Sequence, residues 1–175
     1  MEPVSSTTPA TAPAGPILAP VLAIDYGRTR FGLAISDSSG ALAQPFATWL
    51  RINRRRDVAR LRELVRQQRI ACIVVGLPLH LDGTASEMSE ETRGFARRLH
   101  LALGIPVHMM DERLSSWEAA QIVNEAPLGG SRSKRSKRSS KPRNNALDEV
   151  AAAVILRDFL QQQQRLQQAR VSTKA

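Results

Sequence analysis

Two apolar runs on either side of a short polar turn constrain this chain more than anything else in it. Residues 21–37 read VLAIDYGRTRFGLAISD. Apolar runs of this length, joined through a Gly-containing turn, are expected to form a β-hairpin over Val21–Tyr26 and Phe31–Ser36. Strands this apolar must be covered. The first of them ends on an acid, Asp25, with Gly27 two residues later. A core strand that ends on a carboxylate uses it to shape or cap a turn, or presents it for chemistry.

The rest of the sequence extends the hairpin into an α/β fold. Ala41–Leu50 reads as a third strand, and Pro45 places its middle near an edge or a bulge. Over Arg54–Gln68 the period becomes helical. Val58, Leu61, Leu64 and Val65 share one face, while Arg and Glu fill the other. Ile70–Val75 is continuously apolar, as in a buried parallel strand. Met88, Thr92, Phe95, Leu99 and Leu103 mark a second helix, and Ile105–Met110 another strand. Ser115–Glu125 is expected to be a helix, with Ser115 or Ser116 as N-cap and Glu118 in its first turn. Asn145–Leu160 is a last helix, carrying the small row Ala151, Ala152, Ala153.

The order β-β-β-α-β-α-β-α-α implies a mixed five-stranded sheet: a three-stranded antiparallel meander plus parallel strands, with helices on both faces. A chain of 175 residues, 42% hydrophobic, is long enough to bury one such core. The domain is expected over residues 17–162. Residues 1–16, rich in Pro, Ala, Ser and Thr, read as a disordered tail. Residues 163–175 read as a polar tail that begins as a fraying helix.

The net charge of +9 favours phosphate-rich partners. Nucleic acid suits it better than a membrane surface, because no basic amphipathic helix with large apolar anchors is visible. The charge is densest in 127–145, PLGGSRSKRSKRSSKPRNN, which lacks apolar periodicity and any acid. Arg132, Lys134, Arg135, Lys137, Arg138, Lys141 and Arg143 are expected on a flexible surface loop that contacts phosphates. The single cysteine, Cys72, lies inside an apolar run. It excludes an internal disulfide and reads as a small core side chain, which fits a reducing cytoplasm. His100 and His108 have no metal-like spacing and read as structural. No apolar run approaches the ~20 residues of a membrane span, and the N-terminus lacks the basic n-region of a signal peptide.

Three acidic positions, Asp25, Asp111-Glu112 and Asp148, fall at the ends of regular elements. The strands holding 21–26 and 105–110 are expected to be central, parallel and to end at one sheet edge, the edge where open α/β sheets bind ligands. Asp148 opens the final helix, on the stripe of Ala152 and Ile155. Clustered carboxylates repel unless a cation neutralises them. Mg²⁺ accepts such oxygen ligands, together with water and phosphate, and paired ions can activate water and stabilise a leaving oxygen in phosphodiester cleavage. The residues alone leave this reading and the turn-forming one open.

Four ordered stretches resemble the YqgF family, also called RuvX, a family of Holliday junction resolvases or pre-ribosomal-RNA nucleases. AIDYGRTRFGLAISD resembles its first motif. VVGLPLHLDGTASEMS resembles its Gly-x-Pro…Asp-Gly-Thr loop, at Gly76, Pro78, Asp82, Gly83 and Thr84. DERLSSWEA resembles its Asp-Glu-Arg-x-Ser/Thr motif, at Asp111, Glu112, Arg113 and Ser115. LDEVAAAVIL resembles its C-terminal Asp-x-x-Ala-Ala helix, at Asp148, Ala151 and Ala152. The resemblance covers roughly residues 20–160.

It implies a ribonuclease H-like fold and a nuclease that uses Mg²⁺ or Mn²⁺ on structured nucleic acid, either precursor 16S rRNA, in association with ribosomal particles, or branched DNA, as a monomer or a weak homodimer. By position, Asp25, Glu112 and Asp148 become the acidic triad. Asp111 is a further candidate ligand. Strand alternation sends Asp111 and Glu112 to opposite faces, so only one should face the metals. Arg113, Arg28 and Arg30 would contact phosphate or orient a carboxylate. His80 stands where the family often has Asn and is a candidate nucleic-acid contact. The family's short basic linker is lengthened here into the Ser/Lys/Arg run. Actin-like ATPases and sugar kinases also use an Asp-x-Gly turn, but they need a second phosphate loop and a second domain, for which this chain is too short. A non-catalytic basic nucleic-acid- or ribosome-binding protein is the other alternative.

Overall fold

The structure is a computed structural model and describes residues 19–80, 82–112 and 143–172. Its strands are β1 (Val21–Tyr26), β2 (Arg30–Ser36), β3 (Ala43–Leu50), β4 (Cys72–Leu77) and β5 (Val107–Asp111). Its helices are α1 (Arg54–Gln67), α2 (Glu87–Leu103) and α3 (Arg143–Ser172). The strands form one sheet in the order β3-β2-β1-β4-β5. β1–β2 and β2–β3 are antiparallel, and β1–β4 and β4–β5 are parallel. This is the expected mixed sheet, with one correction: β1 is central, but β5 is an edge strand, separated from β1 by β4. The expected helix at 115–125, the tail at 1–16 and residues 127–142 of the basic run lie outside the described residues.

β1 shows why the fold has two helical layers. Leu22, Ile24 and Tyr26 point into a core built with Leu61 and Leu64 of α1 and Phe95 and Leu99 of α2. Val21 and Ala23 point the other way, onto Ala152, Ile155, Leu156 and Phe159 of α3. The period of two gives a central strand two buried faces, and each receives its own helices. Asp25 therefore belongs to the α3 face.

Local chemistry places the ends of the elements. Asn53 caps α1 by accepting from Arg56 N (2.9 Å). Ser86 and Ser89 form a reciprocal capping box at the start of α2, and Gly104 closes it in the left-handed region at φ 70°. Pro45 is accommodated as the sequence suggested. β3 is an edge strand, and its pairing jumps from Leu33–Ala47 to Ala34–Pro45, leaving Phe46 as the extra residue of a bulge.

α3 departs from expectation at both ends. It begins at Arg143, so the loop ends before 145, and Asp148 lies in the second turn rather than at the opening. It runs past Leu160 to Ser172, so the helix expected to fray from 163 continues through most of the polar stretch, and Gln163 within it is buried. Polarity ended the periodic signal at Leu160, but a helix already anchored on the sheet propagates cheaply through good helix formers such as Gln, Arg and Leu.

Cys72 is buried, and burial pushes its thiol up to about 11, so it stays protonated as a core side chain. His108 is buried with its ring stacked on Phe159, and His100 meets Ile105 O at 2.9 Å near the end of α2. Both make contacts within the fold. Among the described residues no helix is long and apolar enough to cross a membrane.

Candidate active site

The parallel strands β1, β4 and β5 all end at one rim of the sheet. That rim carries the β1–β2 turn, the loop from Pro78 to Ser86, and Glu112. The β1–β2 turn closes by Gly27 N donating to Arg30 O (3.0 Å). A Cβ on Gly27 would stand 2.8 Å from that same oxygen, so close approach across the turn, and not a left-handed backbone, is what requires glycine here.

On the α3 face of this rim, Asp25 sits between two glycines. Gly32 is its partner on β2. Gly76 lies beside it on β4, one step beyond the Ile24–Val75 pair. The row Gly32–Asp25–Gly76 forms a hollow in the sheet, and two other carboxylate-bearing residues enter it. A Cβ on Gly32 would lie 1.9 Å from the backbone oxygen of Asp148, so α3 rests directly on the strand at that point. A Cβ on Gly76 would lie 1.7 Å from Glu112 Oε1 and 2.7 Å from Ile155 Cδ1, so the Glu112 carboxylate occupies the space that glycine leaves. Glu112 continues the β5 ladder, donating N–H to Leu77 O (3.3 Å), and falls on the same alternation as His108 and Met110.

The three acids feel one another. Burial pushes Asp25 up to about 6, and the charge of Asp148 adds to the effect. Burial likewise pushes Glu112 up to about 8, with further contributions from Asp25 and Asp111. Among the described residues no donor hydrogen-bonds the buried Asp148 Oδ2, and Arg30 Nη1 stands at an ion-pair distance of 3.4 Å. The hollow therefore gathers carboxyl groups whose ionised forms are disfavoured by burial and by one another. Among the described residues no three His, Cys, Asp or Glu form a group that could hold a metal ion as they stand. The donors are carboxylate oxygens on three separate elements, a set that suits a hard cation completing its shell with water and phosphate.

These shifts fix a pH dependence. Both groups titrate higher in the folded chain than in the unfolded one, where they ionise near 4. Their protonated forms favour folding, so their contribution is complete below about pH 4 and is lost as pH rises through 6 and then 8. In EDTA, the melting temperature of Asp25→Asn/Glu112→Gln minus that of the wild type is expected to grow between pH 5 and 8. A difference that stays flat across that range would contradict the burial of these acids. Asp37, held near 2 by the Leu42 amide and the Ser39 hydroxyl, acts in the opposite sense and only below that window.

The other candidates are dispersed along the rim. Arg28, exposed on the turn, is engaged by Glu91 (2.7 Å) and Glu87 (3.1 Å) at the start of α2. His80 is exposed in the loop after β4, where its carbonyl accepts from Gly83 N (2.8 Å). In that loop Asp82 accepts from the Thr84 amide (2.9 Å) and hydroxyl (2.6 Å), which hold its carboxyl below the usual range. Asp111 ends β5, and its charge reaches Glu112. Arg143 is the first residue of α3. Arg113, Arg132, Lys134, Arg135, Lys137, Arg138 and Lys141 lie outside the described residues.

One residue that supports the site gives no sequence signal. Arg51 follows β3 and reaches back under the β1–β2 turn. Its Nη1 donates to Gly27 O (3.0 Å) and Arg28 O (3.3 Å), and its Nε lies 3.5 Å from Asp57 Oδ2. Its guanidinium covers the rings of Tyr26 and Phe31, at 4.7 and 5.1 Å from their centroids. Asp57 is fully buried, and the Ile52 amide is its other donor (3.0 Å). Arg51→Ala would leave Asp57 short of its cation and two turn carbonyls short of a donor. A loss of about 3 kcal/mol is expected, measured by urea unfolding at pH 7. A loss below about 1 kcal/mol would mean that Arg51 does not hold the turn.

Comparison with known proteins places this architecture. Residues 19–162 match the model of the family described as "RuvX: Holliday junction resolvase". A protein of Koribacter versatilis named "Putative pre-16S rRNA nuclease" is 43% identical over 141 residues, covering 81% of this chain and 86% of the relative. One of Moorella thermoacetica with the same name is 37% identical over 140 residues, covering 80% and 93%. Among solved structures, the yeast mitochondrial Holliday junction resolvase Ydc2 superposes with a TM-score of 0.56 at 14% identity, covering 93% of this chain and 86% of that one. At that identity it shows the shared fold.

Proposed function

The chain belongs to the RuvX family, and from that premise we propose that it is a divalent-metal-dependent nuclease whose substrate is precursor 16S rRNA. The observation that carries the reading is the hollow over Gly32 and Gly76, into which three separate elements bring Asp25, Glu112 and Asp148. No structural need explains it. A fold gains nothing by pressing carboxylates together where burial resists their charge, whereas a phosphodiesterase needs that arrangement.

In this reading Asp25, Glu112 and Asp148 would hold one or two Mg²⁺ or Mn²⁺ ions. When bound, the metal supplies an activated water and charge stabilisation at the leaving oxygen. The protein's own groups do the rest. Asp25 is fixed by the central strand, so its position is set by the sheet and not by a mobile loop. Glu112, just past the edge strand, retains a proton to higher pH than Asp25. Arg30, within 3.4 Å of Asp148, orients that carboxylate and faces the backbone of the nucleic acid. His80, Arg28, Arg113 and the 132–143 cations contact phosphates around it.

The relatives' name points to RNA, and the family description points to the four-way DNA junction as a second substrate class. The decisive experiment offers the purified full chain a precursor 16S rRNA fragment and a matched DNA junction, each with Mg²⁺, Mn²⁺ or EDTA. Metal-dependent cleavage of the RNA is expected. Cleavage confined to the junction would replace the substrate. Tight binding without cleavage in any metal would make the chain a nucleic-acid-binding protein.

A further inference from the structure

The charge of this chain is concentrated at a second place, between β3 and α1. Residues 51–60 read RINRRRDVAR, five arginines against one aspartate. Two of these arginines are employed inside the fold. Arg51 holds the β1–β2 turn. Arg60 donates to Leu50 O (3.0 Å) and lies 4.3 Å over the Trp49 ring. The aspartate, Asp57, is buried against Arg51. Arg54, Arg55 and Arg56 are left, all exposed, with no hydrogen bond or ion pair to their guanidinium groups among the described residues.

Helix stability does not explain this run. These arginines occupy the first turn of α1, at the positive end of the helix dipole, where cations are disfavoured. Nor is the helix end itself an open anion site. Asn53 caps the Arg56 amide, Asp57 N donates to Asn53 O, and Asp57 takes the Ile52 amide. The side chains alone make the surface positive.

Its position relates it to the carboxylates. Arg54 lines a cleft of about 470 Å³ with Arg28 and Thr29 of the β1–β2 turn. Arg51, three residues before it, is bonded to that turn through both backbone and side chain. Asp25 lies two residues from Gly27, on the α3 face of the same rim. A nucleic acid lying across the rim would meet the carboxylates on one layer and these arginines on the other.

We propose that Arg54, Arg55 and Arg56 form a phosphate-contacting tract that carries the arm of the nucleic acid leading away from the carboxylate hollow, over the α1 side of the sheet. The proposal rests on the nuclease reading and locates part of its substrate. The chemistry recognised is the phosphodiester backbone, so RNA and DNA are both met, and base sequence is not read.

The test compares the wild-type full chain with Arg54→Gln/Arg55→Gln/Arg56→Gln, and with Arg66→Ala at the far end of α1 as a control. Binding is measured in EDTA by fluorescence anisotropy from 50 to 300 mM KCl. The probes are a labelled RNA hairpin with a single-stranded 5′ tail, a labelled four-way DNA junction, and phosphatidylglycerol vesicles. The salt slope of the triple variant is expected to flatten by about 2, at roughly 0.7–0.9 for each phosphate no longer neutralised, and its affinity at 100 mM KCl to fall about tenfold or more. Its melting temperature should be equal or higher, since cations leave the positive helix end. Arg55→Glu alone should reproduce the loss should the triple variant not fold. In Mg²⁺, the KM for RNA should rise while kcat is retained. Greater loss on one probe identifies which nucleic acid lies on the tract. A triple variant with unchanged slope and affinity on both nucleic acids overturns the tract and leaves the nuclease reading standing. A loss seen only on vesicles overturns it in favour of a lipid surface. A wild type that neither binds nor cleaves either nucleic acid overturns the nuclease reading and the tract together.

Discussion

Asp25→Asn is expected to lower metal-dependent cleavage by about 10³-fold or more while raising the melting temperature of the metal-free protein. The two effects have one cause. Asp25 lies in a hollow whose burial, with Asp148 nearby, moves it from 3.8 to about 6. At pH 7.5 the folded chain must ionise it there, at a cost of about 2 to 3 kcal/mol at 1.36 kcal/mol per unit. Asparagine keeps the volume and removes that cost, so in EDTA the variant should gain several degrees. In the proposed reading asparagine also removes an anionic metal ligand, and losing several kcal/mol of charge stabilisation corresponds to the expected rate loss. Binding of nucleic acid in EDTA should be unchanged or tighter, because a negative charge leaves the neighbourhood of phosphate. Full activity in this variant would remove Asp25 from the metal-binding set. A lower melting temperature in EDTA would contradict the burial argument.

Gly32→Ala and Gly76→Ala are expected to separate folding from chemistry. At Gly32 the new methyl group would fall 1.9 Å from the Asp148 carbonyl oxygen, and backbone cannot give way without moving α3 off the sheet. A loss of about 3 kcal/mol or more is expected, with a fall in melting temperature on the order of 10 °C. At Gly76 the nearest atoms are Glu112 Oε1 at 1.7 Å and Ile155 Cδ1 at 2.7 Å, both at the ends of side chains that can rotate. That variant should fold with a smaller loss but with Glu112 displaced, so activity falls more than stability. Thermal melts and cleavage rates on both variants check the contrast. Equal effects of the two on stability would mean that the glycine row does not position the acids in the way described.

Much of the fold was legible in the sequence. The elements expected around Val21–Tyr26, Arg54–Gln68 and Met88–Leu103 fall within two residues of those observed, because each carries a complete local pattern: an apolar run with a turn, or a face repeating every three to four residues. Pro45 marked its own bulge, because a residue without an N–H belongs at an edge. The alternation that sets Glu112 apart from Asp111 is likewise a local property, and it agrees with the Glu112 carboxylate lying over Gly76. The candidate acids were legible only as separate strand- and helix-end residues. Arg51 was not legible at all. An arginine after an edge strand looks like any surface cation until the turn 24 residues earlier is folded beneath it.

The sequence by itself determined which residues alternate, which faces are apolar, where the turns fall, and that Asp25 lies near the end of a strand, because these depend on neighbours along the chain. The tertiary structure alone decided that β5 lies at the edge with β4 between it and β1, that α3 rests on Gly32, and that Glu112 fills the space over Gly76. Those outcomes depend on which surfaces meet once distant segments pack. A missing Cβ matters only when something else comes to occupy its place.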